Sequence, residues 1–299
     1  MLSRRALCGY LGAGLWAQTP SPHLTNNQPT KARKLHGGFV FTEGPVCSER
    51  GDLYFSDVGE ERIYCLSGGG LRVVRNSSNL ANGLAFDREQ RLLVCERGRL
   101  TRTEPDGHIS ILADSYAGKG LHWPNDLAVL PDGSIYFTDL KQKNEWANPA
   151  KTGMNAVYRW SKRSGLTLFS RDCQEPNGIT LSPQGNSLYV SDTAARSVVV
   201  YGVSAQGAQG GRVFARTSQS GGPDGLKTDA MGNVWVCEDE GIVVFSPSGE
   251  RLMVAPIPET PSNCAFTRTG AALYVTAKTS IYQLDVPASL RASGLRRVR

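Results

Sequence analysis

The sequence predicts an all-β protein, specifically a six-bladed β-propeller with four antiparallel strands in each blade. Three observations lead to this prediction: a motif that occurs six times, a second motif at a nearly constant distance from each copy, and an additional N-terminal strand. The chain has 299 residues, 40% of them hydrophobic, and is long enough to form such a fold as one domain.

The first motif is a small polar residue followed by alternating apolar residues, as in Asn-Gly-Leu-Ala-Phe at 82–86. The polar residues, called the anchors below, are Glu43, Asn82, Asn125, Asn177, Asp224 and Asn263. Successive anchors are 39, 43, 52, 47 and 39 residues apart. A period of this length is typical of propeller blades.

The second motif is an apolar run, such as Leu-Tyr-Phe-Ser-Asp at 53–57, that ends 14 residues after the anchor in five units and 15 in one. Turn signals such as Pro-Asp-Gly at 131–133 lie between the two motifs. Each unit therefore begins as strand, turn and strand.

Further apolar runs supply the outer strands. A third run is found at 62–66, 156–160, 197–203, 242–246 and 280–285, and a fourth at 71–75, 109–113, 166–170, 212–215 and 251–255. No fourth run follows residue 285, whereas residues 35–41 form a strand-like run before the first anchor. We therefore expect the N-terminal strand to complete the last blade, which closes the ring and leaves no free edge.

The N-terminal region is typical of a targeting segment. Residues 1–17 combine Arg4 and Arg5, a short apolar run and a small residue at its end, which favours an export signal, and the paired arginines resemble a twin-arginine signal. The run is too short to span a bilayer, so no membrane span is expected in the mature chain. We expect a linker over 18–34, the propeller domain over 35–299, and a periplasmic or secreted protein.

Charge argues against a nucleic-acid partner. The net charge of +6 comes from nine basic residues in 1–34 and 291–299, which contain no acidic residue. Residues 35–290 contain 24 basic and 27 acidic residues, a net of −3. The body of the chain therefore lacks the basic surface that is typical of nucleic-acid binding. The six cysteines beyond the export signal show no CxxC spacing and are expected to be mostly buried thiols.

The anchors predict a metal site. The first strand of every propeller blade lines the central channel, so the six anchors should encircle one axis. They offer carboxylate and amide oxygens without sulfur or imidazole, a donor set that suits a hard divalent cation such as Ca²⁺. Asn-Gly and Asp-Gly also form turns, so any single anchor could be a turn residue rather than a ligand.

These residues resemble the senescence marker protein/gluconolactonase (regucalcin-like) family, most closely its bacterial gluconolactonase branch. The resemblance covers roughly 36–285 and depends on Glu-Gly-Pro at 43–45, Pro-Asn-Asp at 124–126, Pro-Asn-Gly at 176–178, Pro-Asp-Gly at 223–225 and Thr-Pro-Ser-Asn-Cys-Ala-Phe at 260–266. It implies a six-bladed propeller that binds one divalent metal, often Ca²⁺ or Zn²⁺, and hydrolyses a lactone such as glucono-1,5-lactone.

The resemblance also implies roles for individual residues. The family's metal ligands correspond to Glu43, Asn177 and Asp224, with Asn125 as a ligand or a substrate contact. Our hypothesis assigns the general base that activates water to Asp224, with Glu43 as the alternative. Asn82 and Asn263 are further candidates for substrate binding.

The sequence departs from the family pattern in the loops. Arg97 stands where the branch usually has histidine, and His122 and Trp123 stand where small polar residues are common. These residues could form an altered substrate pocket or simply pack in loops. Two other functions remain open: a paraoxonase-like esterase or phosphotriesterase, and a non-catalytic propeller that binds a partner protein.

Overall fold

The computed structural model describes residues 31–141, 148–204, 207–218 and 220–291. The expected export signal and most of the expected linker lie outside these residues. Within them, six four-stranded antiparallel sheets account for nearly all of the regular structure. The predicted fold class is confirmed.

Each sheet forms one blade, and in five of the six blades the strands follow one another in chain order from the axis outward. Blade 1 consists of β2 (Thr42–Cys47), β3 (Leu53–Asp57), β4 (Arg62–Ser67) and β5 (Gly70–Arg75). Blade 2 consists of β6 (Leu84–Phe86), β7 (Leu92–Glu96), β8 (Arg99–Thr103) and β9 (Ile109–Ala113). Blade 3 consists of β12 (Pro124–Val129), β13 (Ile135–Asp139), β14 (Ala156–Ser161) and β15 (Gly165–Ser170).

The other three blades repeat the pattern. Blade 4 consists of β16 (Pro176–Leu181), β17 (Ser187–Asp192), β18 (Ser197–Ser204) and β19 (Gly207–Arg216). Blade 5 consists of β20 (Leu226–Thr228), β21 (Val234–Glu238), β22 (Gly241–Phe245) and β23 (Arg251–Ala255). Blade 6 consists of β24 (Pro261–Phe266), β25 (Ala272–Ala277), β26 (Ser280–Asp285) and the N-terminal β1 (Arg33–Gly37).

Two small elements lie outside the blades. A hairpin of β10 (Ser115–Tyr116) and β11 (Lys119–Gly120) links blades 2 and 3, and a short 3₁₀ turn covers Ala288–Leu290. No helix in the described ranges is long and apolar enough to cross a membrane.

The ring closes through the N-terminal strand, as predicted. β1 pairs antiparallel with β26 and so supplies the outermost strand of blade 6. The strand begins at Arg33, so the last two residues of the expected linker, 33 and 34, belong to the strand. The innermost strands also contact one another in sequence around the axis, and the last contact joins β24 to β2.

The hydrophobic core is divided among the interfaces between blades. Side chains alternate along each strand, so one face packs against the preceding blade and the other against the next. Six buried clusters result, one at each interface; Leu93 and Phe137, for example, share the cluster between blades 2 and 3. The six described cysteines are free, and all but Cys47 are buried, in agreement with the prediction.

Candidate active site in the central channel

The six anchors lie together at one end of the channel. Glu43, Asn125 and Asn177 are the second residues of β2, β12 and β16, and Asn263 is the third residue of β24. Asn82 and Asp224 lie two residues before β6 and β20. Since the innermost strands surround the axis, these positions put all six anchors around the channel.

Glycine after the anchor allows the blades to approach closely. A Cβ atom on Gly178 would lie 2.5 Å from the carbonyl oxygen of Asp224, and one on Gly83 would lie 2.6 Å from that of Asn125. Neither distance is possible for real atoms, so the anchor of one blade sits directly against the backbone of its neighbour. The Asn-Gly and Asp-Gly pairs of the repeat are therefore needed for packing between blades.

Hydroxyl groups join neighbouring blades at the same level. Ser56, Thr138 and Ser191 on the second strands donate hydrogen bonds of 2.6–2.7 Å to the anchor carbonyls of the next blade. The accepting residues are Asn82, Asn177 and Asp224. This network fixes the backbone of three anchors.

The acidic residue that ends the second motif has a structural role. Asp57 accepts hydrogen bonds from the backbone amides of Val40 and Phe41, and Asp192 accepts them from Gln174 and Glu175. In both cases the donors belong to the segment that leads into the innermost strand of the same blade. These carboxylates therefore hold the loops at the channel mouth.

Glu43 is fixed in the channel. Its side chain is 3% exposed, and its Oε2 accepts hydrogen bonds from the Gly44 amide at 2.8 Å and from Nδ2 of Asn263 at 3.3 Å. Burial raises the pKa of Glu43 to about 7, and repulsion from Asp126 acts in the same direction. The hydrogen bonds and the charge of Lys227 oppose this increase in pKa.

Asp224 lies half-buried beside Asn177. Burial, followed by repulsion from Glu43 and Asp126, raises the pKa of Asp224 well above its usual range, whereas a hydrogen bond from Asn177 lowers it. The Asn177 amide also donates to the hydroxyl of Thr193 at 3.2 Å. The charge of Glu43 thus acts on the Asp224 carboxyl across the channel.

The donor atoms fit a divalent cation. The Oδ1 atoms of Asn177 and Asn82 are buried and have no hydrogen-bond partner, which is unfavourable for polar atoms unless a ligand satisfies them. Two neighbouring carboxylates are likewise unfavourable without a compensating cation. Within the described ranges, no three His, Cys, Asp or Glu side chains form a metal-binding group, and the predicted ligand set instead combines two carboxylates with amide oxygens.

His122 and Trp123 support the loops around the channel. His122 is fully buried; its backbone amide donates to Asp139, and its Nε2 accepts from the Gly153 amide at 3.0 Å. The indole of Trp123 donates to the Leu80 carbonyl at 3.3 Å. The geometry favours loop packing for His122, while Trp123 is half-buried and Arg97 is exposed.

Two channel residues were missed by the sequence analysis. Asp126 directly follows the anchor of blade 3, whereas glycine follows four of the other anchors and cysteine follows one. This departure from the repeat could have indicated a functional residue. Lys227 lies in the short inner strand of blade 5, and its Nζ is 3.4 Å from Oδ2 of Asp126. The pair adds one negative and one positive charge to the channel.

Comparisons with known proteins identify the family. A sequence profile described as the SMP-30/Gluconolactonase/LRE-like region matches residues 41–279, and the chain belongs to this family. The match covers all six inner strands, and it confirms the resemblance seen in the sequence motifs.

Individual relatives agree with this assignment. A gluconolactonase from Zymomonas mobilis is 30% identical over 223 residues, which cover 68% of this chain but only 62% of that protein. The structure of a gluconolactonase from Xanthomonas campestris has a TM-score of 0.79 at 31% identity, covering 86% of this chain and 90% of the other. The fold also resembles regucalcin from Agrobacterium tumefaciens, described as a calcium-binding protein, with a TM-score of 0.73 at 21% identity over 86% of this chain and 94% of the other.

Proposed function

We propose that this protein is a metal-dependent lactonase that opens sugar lactones such as glucono-1,5-lactone. The observation that carries the proposal is the pair of neighbouring channel carboxylates, Glu43 and Asp224, beside the unpartnered Oδ1 of Asn177. The family and the gluconolactonases among its members support the choice of substrate.

The proposed metal is a divalent cation, with Ca²⁺ preferred and Zn²⁺ as the alternative. Glu43, Asn177 and Asp224 would hold it, with Asn125 as a further ligand or a substrate contact. When bound, the cation would polarise the lactone carbonyl and stabilise the negative charge that develops on its oxygen. The oxygen-only donor set supports the preference for Ca²⁺.

The two carboxylates would have different tasks. Glu43 is buried and receives two hydrogen bonds, so its carboxylate is fixed and is better suited to holding a cation than to moving a proton. Asp224 is half-buried at the mouth, and its raised pKa suits a group that accepts a proton from the attacking water. Asn177 would orient the Asp224 carboxylate through its amide group.

The channel mouth would bind the substrate. Asn82 and Asn125 offer amides around the axis, and Arg97 lies exposed just after β7. Trp123 lies beside them and presents a partly exposed indole. We propose that these side chains recognise the hydroxyl groups of the sugar, whereas His122 acts only through the loop that it supports. Asn263, also predicted to bind substrate, is 2% exposed and its amide group is instead engaged with Glu43, Asp126 and the Cys264 amide.

The test is lactone hydrolysis by the purified protein and its D224N variant. Wild type should open glucono-1,5-lactone, and D224N at saturating Ca²⁺ should lose at least about 100-fold in kcat, the typical contribution of a general base. D224N should still bind Ca²⁺ in calorimetry, with a lower affinity because a ligating carboxylate is lost. A matched control is D285N, since Asp285 is an exposed carboxylate on β26 of blade 6. Unchanged turnover in D224N would contradict the assignment of the base.

Substrate panels test the substrate class. Sugar lactones, aryl esters and organophosphate triesters should be assayed side by side with the same preparation. Faster turnover of sugar lactones supports the proposal. Hydrolysis of aryl esters or triesters without lactone opening would favour the paraoxonase-like alternative, and no turnover of any substrate would favour a binding module.

The N-terminal segment suggests where the protein acts. We propose, from residues 1–17 alone, that the protein is exported to the periplasm or beyond. Fractionation of cells that express the full chain, with a variant in which Arg4 and Arg5 are replaced by lysine, tests this. Accumulation of the wild-type protein in the cytoplasm would contradict export.

A further inference from the structure

Asp126 connects four blades across the channel. It is 1% exposed, and its Oδ2 accepts hydrogen bonds from Nζ of Lys227 at 3.4 Å, Nδ2 of Asn263 at 3.3 Å and the amide of Ile179 at 3.4 Å. Its Oδ1 accepts from the amide of Leu127 at 2.9 Å. Four hydrogen-bond donors satisfy this buried carboxylate, so it is a fixed part of the channel structure.

The same carboxylate is coupled to Glu43 through one amide group. Nδ2 of Asn263 donates both to Asp126 and to Oε2 of Glu43, at 3.3 Å in each case. Oδ1 of Asn263 accepts from the Cys264 amide at 2.8 Å, which fixes which end of the side chain faces the two carboxylates. Asp126 therefore helps to orient Glu43 through the side chain of Asn263.

The charges in the channel have a simple sum. Glu43 and Asp224 bring two negative charges when they bind a metal, because ligating carboxylates are ionised. The ion pair adds one negative charge from Asp126 and one positive charge from Lys227. The net charge of −2 matches a divalent cation. Without Lys227 the same residues would match a trivalent cation, and without Asp126 they would leave a net of only −1.

We propose that Asp126 and Lys227 neutralise each other beside the metal site, so that the site keeps the net charge of −2 that suits a divalent ion, and that Asp126 also positions Glu43 through Asn263. Both are positioning residues that act through the predicted ligands. The inference rests on the proposed function, because it requires a metal at Glu43, Asn177 and Asp224. Because the pair is neutral, the loss of one member changes the net charge of the site, whereas the loss of both does not.

A double-mutant cycle tests the proposal through affinity rather than activity. D126N, K227M and the double variant D126N/K227M, each freed of metal with a chelator, are titrated with Ca²⁺ by calorimetry. D126N leaves a cation in the channel without its carboxylate partner, and the Ca²⁺ Kd should rise by about tenfold or more. The double variant restores a net of −2, and its Kd should return to within about threefold of wild type.

Trivalent La³⁺ provides the second arm of the test. In K227M the channel carries a net of −3, so the ratio of La³⁺ to Ca²⁺ affinity should increase by about tenfold or more over wild type. K162M is the matched control, because Lys162 is an exposed cation in the turn between β14 and β15, far from the channel. Its Ca²⁺ and La³⁺ affinities should equal those of wild type.

The outcomes separate the two proposals. Absence of Ca²⁺ or Zn²⁺ binding by the wild-type protein would overturn the proposed function and this inference with it. If the wild-type protein binds Ca²⁺ normally but D126N and D126N/K227M lose the same amount of Ca²⁺ affinity, only the proposal about charge is overturned. The Asp126–Lys227 pair would then have a structural role alone. If circular dichroism shows that D126N does not fold, the ratio of La³⁺ to Ca²⁺ affinity in K227M is decisive. A ratio equal to that of wild type overturns the proposal.

Discussion

Glycines beside the anchors determine how tightly the blades meet at the site. A Cβ atom on Gly178 would be 2.5 Å from the carbonyl oxygen of Asp224 and 2.6 Å from Cα of Gly225, both of them backbone atoms that cannot move independently. Adjustment would have to separate blades 4 and 5 where Asn177 meets Asp224. Stability and the predicted metal site are therefore coupled at one residue.

G178A should lower the free energy of unfolding by about 1–3 kcal/mol, the usual cost of overpacking, and should weaken Ca²⁺ binding as well. Chemical denaturation and calorimetry measure the two effects. G70A is the control, because a Cβ atom there would be 3.5 Å from its nearest neighbour and the residue is exposed. Equal stability of the two variants would contradict the close-packing argument.

At the scale of the element, the hydroxyls of the second strands hold the inner ring together. Thr138 donates to the Asn177 carbonyl at 2.6 Å and accepts from the Asp126 amide at 3.1 Å. Its hydroxyl therefore joins blade 3 to blade 4 directly beneath the candidate site. Valine has almost the same shape and can make neither bond.

T138V should cost about 1–3 kcal/mol of stability, because two buried polar groups lose their partner. T167V removes an exposed hydroxyl that donates to the Arg159 carbonyl on the outer strands, so it should change stability by less than about 0.5 kcal/mol. Thermal and urea unfolding of both variants measure the difference. A T138V protein as stable as T167V would show that these hydroxyls do not secure the ring.

Glu259 holds the closing strands of the ring. Its carboxylate accepts hydrogen bonds from the amide and hydroxyl of Thr279 and from the hydroxyls of Ser280 and Tyr282, and it pairs with Lys34 on β1. Burial alone would raise its pKa, but the hydrogen bonds prevail and lower the pKa of Glu259 to about 2. The ionised form is thus stabilised by folding.

The pKa of Glu259 is lower in the folded than in the unfolded state. Its contribution to the free energy of unfolding is therefore complete above about pH 4.5 and disappears as the pH falls towards 2. E259Q should lose about 1–3 kcal/mol at pH 7 and progressively less below pH 4.5. Urea unfolding across this range measures the difference, with E250Q, at an exposed carboxylate, as the control. A difference from wild type that does not depend on pH would contradict this role.

The strands that could not be predicted from the sequence are those without a repeated pattern. β8 contains only one apolar residue in Arg-Leu-Thr-Arg-Thr, so it lacks the alternation that marks the third strands of the other blades. The hairpin of β10 and β11 has two residues in each strand and no equivalent in any other blade. The inner two strands of every blade were predictable because packing between blades repeats the same requirements six times.

For the whole molecule, the repeat predicted the ring and its closure, and the register of the anchors predicted which strand ends meet at the axis. It could not predict contacts across the channel. Asp126 and Lys227 are 101 residues apart and belong to blades 3 and 5, so only the closed ring brings them together. The network from Lys227 to Glu43 is a property of the assembled propeller.

The most direct test of the central claim is a Ca²⁺ titration of chelator-treated protein in which bound metal and the rate of glucono-1,5-lactone opening are measured on the same samples. We expect one bound ion per chain, with the rate of lactone opening rising in proportion to metal occupancy, and little Ca²⁺ binding in E43Q. Full lactone turnover after complete removal of metal, or binding that E43Q leaves unchanged, would contradict it.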